Sequence, residues 1–119
     1  MTVVESFRGG SAGEYHGRKL PERHVAHVWR FAPLAPALVL GSTQSDSLVD
    51  VTRCAELGVE VVRRRSGGGV VLLVPGRTVW IDVLVPAEHR LWRSDVGESS
   101  WWLGRTMADT MERVTGQSY

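Results

Sequence analysis

The chain has 119 residues, enough for one modest domain. A hydrophobic content of 43%, a charged content of 23% and a net charge of +1 are those of an ordinary globular protein, and they give no argument for nucleic acid or a membrane as partner. The single cysteine, Cys54, excludes an internal disulfide and a cysteine-rich zinc site, the 4 histidines show no metal-ligand spacing, and no apolar run suits a spanning helix, so the expected setting is the cytoplasm.

Met1 to Glu22 is polar, glycine-rich and without sustained period, and reads as an irregular arm with a short extended piece over Val3 to Phe7. Val25 to Phe31 is the first clear strand, with Val25, His27, Trp29 and Phe31 on one face, and Pro33 and Pro36 end it. Ala37 to Leu40 is a short buried strand closed by Gly41. Ser45-Asp46 offers a helix N-cap, Leu48, Val51, Thr52 and Ala55 follow at helical spacing, and Gly58 sits where a helix ends. Cys54 falls within that helix as a small packing residue.

The next stretch organises the chain. Val59 to Val62 and Val70 to Val74 read as buried strands around Arg63-Arg64-Arg65-Ser66-Gly67-Gly68-Gly69. Arginine presents a fixed fork that matches a phosphate or carboxylate, and glycine lets a ligand approach the main chain, so the spacing predicts an anion-binding loop. It is not a Walker A loop, since no Gly-Lys-Ser/Thr follows, nor a dinucleotide fingerprint, since a strand follows instead of a helix. After a turn at Pro75-Gly76, Thr78 to Val85 alternates as a strand. Asp95-x-x-Glu98 resembles a capping box, and Trp102, Met107, Met111 and Val114 mark a helix ending at Gly116, with Trp101 and Trp102 expected in the core. Tight turns predict that the middle strands are antiparallel neighbours, hence an α+β fold with a largely antiparallel sheet flanked by helices.

Arg63-Arg64-Arg65-Ser66-Gly67-Gly68-Gly69-Val70-Val71, followed by Gly76, resembles the Arg-Arg-x-Ser-Gly-Gly-Gly-Ala-Val…Gly signature of the lipoate–protein ligase A family, grouped with biotin ligases and octanoyltransferases. His27-Val28-Trp29-Arg30 and Leu38-Val39-Leu40-Gly41-Ser42-Thr43-Gln44 are similar to two upstream strands of that family. Arg8-Gly9-Gly10 with Tyr15-His16-Gly17 is also similar to an octanoyltransferase motif, but no valine-rich strand accompanies it and coincidence is the simpler explanation. The resemblance implies a fold like the catalytic core of class II aminoacyl-tRNA synthetases. It also implies ATP-dependent activation of lipoate, or a related acid, to an acyl-adenylate, with Mg2+ accompanying ATP, and transfer of the acyl group to a lysine of a lipoyl-carrier domain.

By motif position, the resemblance puts Arg63 and Arg64 at the phosphate and carboxylate of the adenylate, Ser66, Gly67, Gly68 and Gly69 along it, Gly76 near the nucleotide and Trp29 beside the acyl tail. For Trp29 a core role is an equal alternative. Arg64→Ala is expected to abolish adenylate binding while leaving the melting temperature within a few degrees. Two departures stand out. Leu72-Leu73-Val74 occupy the stretch where the family has an aromatic followed by His-Asp, and the family's catalytic lysine lies downstream of the residues given, Lys19 being out of register. The chain is therefore expected to form one unit, the N-terminal half of a ligase-type catalytic domain, marginally stable or associating with a partner chain or a second copy through an incomplete sheet. Three readings stay open: a ligase; an ATP-independent octanoyl or lipoyl acyltransferase using a downstream cysteine; and a non-catalytic acyl-binding half-domain.

Overall fold

The computed structural model describes residues 3–21 and 24–119. Among the described residues six strands and three α-helices follow one another as β1 (Val3–Gly10), α1 (Ala12–His16), β2 (Ala26–Pro33), β3 (Ala37–Leu40), α2 (Val51–Glu56), β4 (Glu60–Arg63), β5 (Val71–Leu73), β6 (Trp80–Leu84) and α3 (Val96–Thr115). The expected α+β class is what forms, in two three-stranded sheets ordered β1-β2-β6 and β4-β3-β5.

The N-terminal arm is not irregular. β1 runs parallel to β2 from Val3 opposite Ala26 to Gly10 opposite Pro33. Its side chains are mostly exposed, so it is held by its backbone ladder and leaves no apolar period to read. Ser11 then caps α1, its hydroxyl accepting a hydrogen bond from the Glu14 amide at 3.1 Å. Met1, Thr2 and Glu22 of the expected arm lie outside the described residues.

The middle strands are not hairpin neighbours either. β3 lies between them, parallel to β4 (Leu40 opposite Arg63) and antiparallel to β5 (Val39 opposite Val71). The chain from Arg64 to Val70 therefore crosses the C-terminal end of β3, spanning roughly two interstrand spacings of about 4.8 Å. β6 pairs antiparallel with β2, Phe31 opposite Trp80, and not with β5. Pairing is thus mixed in both sheets, two pairs parallel and two antiparallel. The strands flanking the glycines are also less buried than expected: Val71 and Leu72 are exposed, and Leu73 alone of β5 is buried.

The expected helix from Ser45 breaks in two. A 3-10 turn, Asp46–Leu48, is capped by Ser45, and α2 restarts where the Asp50 carboxylate accepts from the Arg53 amide at 2.9 Å. Cys54 is buried in α2, as a packing residue should be.

Among the described residues two apolar clusters form the core. Ala12, Ala37, Val39 and Leu73 make one; Tyr15, Trp29 and Phe31 make the other. α1 supplies a residue to each, and Trp80 packs against both, so α1 and β6 tie the two sheets together. The Tyr15 ring stacks on Phe31 at 4.3 Å and meets Trp80 edge-on at 4.7 Å.

α3 begins and ends where the sequence pattern puts it. The Asp95 carboxylate accepts from the Glu98 amide at 2.8 Å, and Gly116 closes the helix at φ 71°. Asp95→Ala should cost about 1 kcal/mol, measurable by urea unfolding. No residue of α3 is buried, however, and Trp101 is 70% exposed, so its expected core role is not met. Met107, Met111 and Val114 are exposed on the same helix.

Candidate functional site

The crossover from β4 to β5 is clasped to the end of β3. The Arg64 amide donates to the Leu40 carbonyl at 2.9 Å, and the Ser42 amide donates to the Ser66 carbonyl at 2.9 Å. Between these two bonds Gly68 passes directly over Gly41. A Cβ on Gly41 would lie 2.2 Å from the Gly68 carbonyl oxygen. Gly68 itself sits at φ 104°, a conformation that L side chains rarely adopt.

Arginines hold this arrangement from within. Arg64 Nη1 donates to the Val39 carbonyl at 3.2 Å, and Nη2 donates to the carbonyls of Gly67 and Gly69, each at 2.8 Å. A guanidinium carries more N–H donors than these three bonds engage, so Arg64 can brace the loop and still face a ligand oxygen. Arg63 turns elsewhere: it donates to the carbonyls of Gly41 and Gln44 and pairs with Asp46, fixing the segment after β3. Arg65 Nη2 donates to the Arg18 carbonyl at 2.7 Å, tying the crossover to the segment after α1.

Beside the crossover lies a cleft of about 470 Å³. Its polar lining comes from Arg64, Arg65 and Ser66, from His16 at the end of α1, from Thr78 and from Asp82 on β6. Val39, Val71, Leu73, Val79, Trp80 and Ile81 supply the apolar surface. Of the residues expected at the site, Arg64 and Ser66 line this cleft; Gly67 and Gly69 are joined to it through Arg64, and Gly68, packed on Gly41, does not line it. Gly76 takes φ 73° in the turn after β5, where the Arg77 amide donates to the Val74 carbonyl, and it does not line the cleft. Trp29 is 3% exposed, edge-on to Tyr15 and covered by the Arg18 guanidinium at 3.9 Å, so the core half of its two readings is what forms.

His16, Arg65 and Asp82 were missed as site residues. Arg65 lies inside the arginine–glycine signal, and His16 lies in the Tyr15-His16-Gly17 piece set aside as coincidence; Asp82 carries no signal, because strand pairing brings it in. Burial pushes the His16 pKa down, Arg64 and Arg65 push it the same way, and the Asp82 and Glu60 carboxylates oppose them. The Tyr15 hydroxyl is buried without a hydrogen-bond partner, and burial, with the Asp82 carboxylate adding to it, pushes its pKa above the usual phenol range. Asp82 accepts from Trp80 Nε1 at 3.0 Å.

The lowered His16 pKa has a consequence for stability. The unfolded chain takes up the proton near the ordinary value of 6.5, while the folded chain resists it until lower pH. Stability from this group is therefore full above 6.5 and lost as pH falls towards the folded-state pKa. Melting curves between about pH 5 and 7.5 should show His16→Gln less sensitive to acid than the wild type.

These features define an α+β fold with a cleft lined by residues of both sheets. The family model for the lipoyl protein ligase A/B catalytic domain matches residues 6–115, and the chain belongs to that family. Among solved structures it is similar to a T. acidophilum protein assigned as a lipoate protein ligase, whose structure holds bound lipoic acid. The TM-score is 0.70 at 17% sequence identity, with 99% of this chain and 50% of that chain covered, so the likeness is one of fold and this chain spans half of that protein's length. Among curated proteins none matches significantly.

Proposed function

We propose that the cleft binds an acyl-adenylate and that the chain serves ATP-dependent activation of lipoate, or a related acid, for transfer to a lysine of a carrier domain. The observation that carries this reading is the meeting of Arg64, Arg65 and Ser66 with the apolar surface of Val39, Val71, Leu73 and Ile81 in one cleft. An acyl-adenylate needs both: cationic donors for its phosphate and carbonyl, and an apolar surface for its tail. The lipoic acid bound by the similar T. acidophilum protein supports lipoate as the acid.

ATP would supply the adenylyl group, with pyrophosphate leaving as the acid's carboxylate bonds to the α-phosphorus. The residues present suit the phosphate of the adenylate. Magnesium would keep mainly phosphate and water ligands. Asp82 is the one carboxylate lining the cleft, and among the described residues no group of three His, Cys, Asp or Glu could hold a metal ion. The lysine of the family's chemistry would come from a second half of the fold, supplied by further chain or by a partner. The exposed Trp101, Met107, Met111 and Val114 of α3 support such a covering neighbour. No helix among the described residues is long and apolar enough to cross a membrane, and the lone buried thiol of Cys54 supports a reducing compartment such as the cytoplasm.

Calorimetric titration with a non-hydrolysable lipoyl-adenylate analogue tests the reading. Saturable binding that is competed by ATP and by lipoate together supports it. A folded protein that binds neither contradicts it. Binding of an acyl group with no affinity for ATP points to the acyltransferase alternative instead.

A further inference from the structure

His16 lines the cleft, and its Nε2 atom is buried without a hydrogen-bond partner. The ring is packed on Trp80 at a centroid distance of 4.6 Å and a tilt of 43°. β5 offers the cleft only Val71 and Leu73, and the polar groups beyond the crossover are His16 of α1, Thr78, and Asp82 of β6. A buried imidazole nitrogen left unpaired is destabilising, and a ligand oxygen in the cleft would relieve it.

Resting on the reading of the cleft as an acyl-adenylate site, we infer that His16 is a ligand-binding residue whose Nε2–H donates a hydrogen bond to an anionic oxygen drawn in by Arg64 and Arg65. Its neighbours explain why a neutral imidazole suits the place. Burial disfavours a cation there most, Arg64 and Arg65 from the crossover add to it, and Asp82 of β6 and Glu60 of β4 oppose them. A neutral donor adds a hydrogen bond without adding repulsion. An arriving anion counters the two guanidiniums, so ligand binding raises the His16 pKa and is accompanied by proton uptake at mildly acidic pH. Arg64 and Arg65 attract a phosphate and a carboxylate alike, and the two sources are separated by using AMP and lipoate as independent probes.

The test is 15N NMR of the His16 imidazole with and without each probe and with the lipoyl-adenylate analogue, combined with calorimetry on His16→Phe and His16→Gln. The inference expects the Nε2 resonance to move and the His16 pKa to rise on saturation. AMP alone has this effect if the phosphate is the partner, lipoate alone if it is the carboxylate. His16→Phe is expected to weaken analogue binding by about tenfold, and His16→Gln, which keeps an N–H donor, to recover most of it. Wild-type binding with an unmoved Nε2 resonance, or a folded His16→Phe binding within roughly a factor of two of wild type, overturns this inference and leaves the proposed function standing. Absence of binding by the wild type overturns the proposed function and this inference with it.

Discussion

Gly41→Ala is expected to destabilise the chain by about 3 kcal/mol, lowering its melting temperature by about 10 °C, and to abolish ligand binding. The new Cβ would stand 2.2 Å from the carbonyl oxygen of Gly68, 3.1 Å from its carbonyl carbon and 3.2 Å from its nitrogen. These are backbone atoms, so no side-chain rotation relieves the overlap. Neither partner can retreat cheaply, because Leu40 is bonded to Arg64 and Ser42 to Ser66 on either side of the contact. Lifting the crossover would break these bonds and carry Arg64 away from the cleft. Gly67→Ala is the control: nothing lies within 4 Å of its Cβ, and its φ is not positive. Thermal melts of the two variants decide the matter. A Gly41→Ala protein melting within a few degrees of wild type would show that the crossover does not lie on the end of β3.

The second large effect is at Arg64. The sequence alone suggests that Arg64→Ala removes binding and leaves stability nearly untouched. The structure changes the second half of that expectation, because this one guanidinium holds the carbonyls of Val39, Gly67 and Gly69. Water can replace it at the two exposed glycine carbonyls but less readily at Val39. The expected loss is about 2 kcal/mol, together with loss of analogue binding. Arg64→Lys keeps the charge but cannot hold three carbonyls in one rigid fork, so it should recover little of either. Full binding by a folded Arg64→Lys would mean that the site needs charge alone.

These two residues also show where sequence reasoning succeeds and where it stops. The arginine–serine–glycine run stands out in the sequence because its composition is unusual, and its flanking β-branched residues were legible as strands. α3 was legible end to end because Asp95, Glu98 and Gly116 are local signals that act on their own backbone. Pairing was not legible. Whether β5 returns beside β4 or beyond β3 depends on which strand fills the gap, and Arg64 to Val70 is long enough for either. The parallel β1–β2 pair was hidden for a different reason: β1 buries little, so no periodicity marks it. His16 and Asp82 reach the cleft only through those pairings, as Phe31 opposite Trp80 sets β6 and the turn of α1 sets His16. Arg63 and Trp29 make the complementary point. A residue can match a motif and be occupied by structure, Arg63 by Gly41, Gln44 and Asp46, Trp29 by the core around Tyr15.

The arginine–glycine crossover is proposed as the anion end of an acyl-adenylate cleft. The measurement that tests it is 1H–15N NMR mapping of the wild-type chain during titration with the non-hydrolysable lipoyl-adenylate analogue. Saturable shifts are expected at Arg64, Arg65, Ser66 and Gly67 to Gly69 and at Val71 and Ile81 of the cleft lining, with α3 unmoved. Shifts confined to α3, or a saturated ligand that leaves the crossover amides in place, would contradict it.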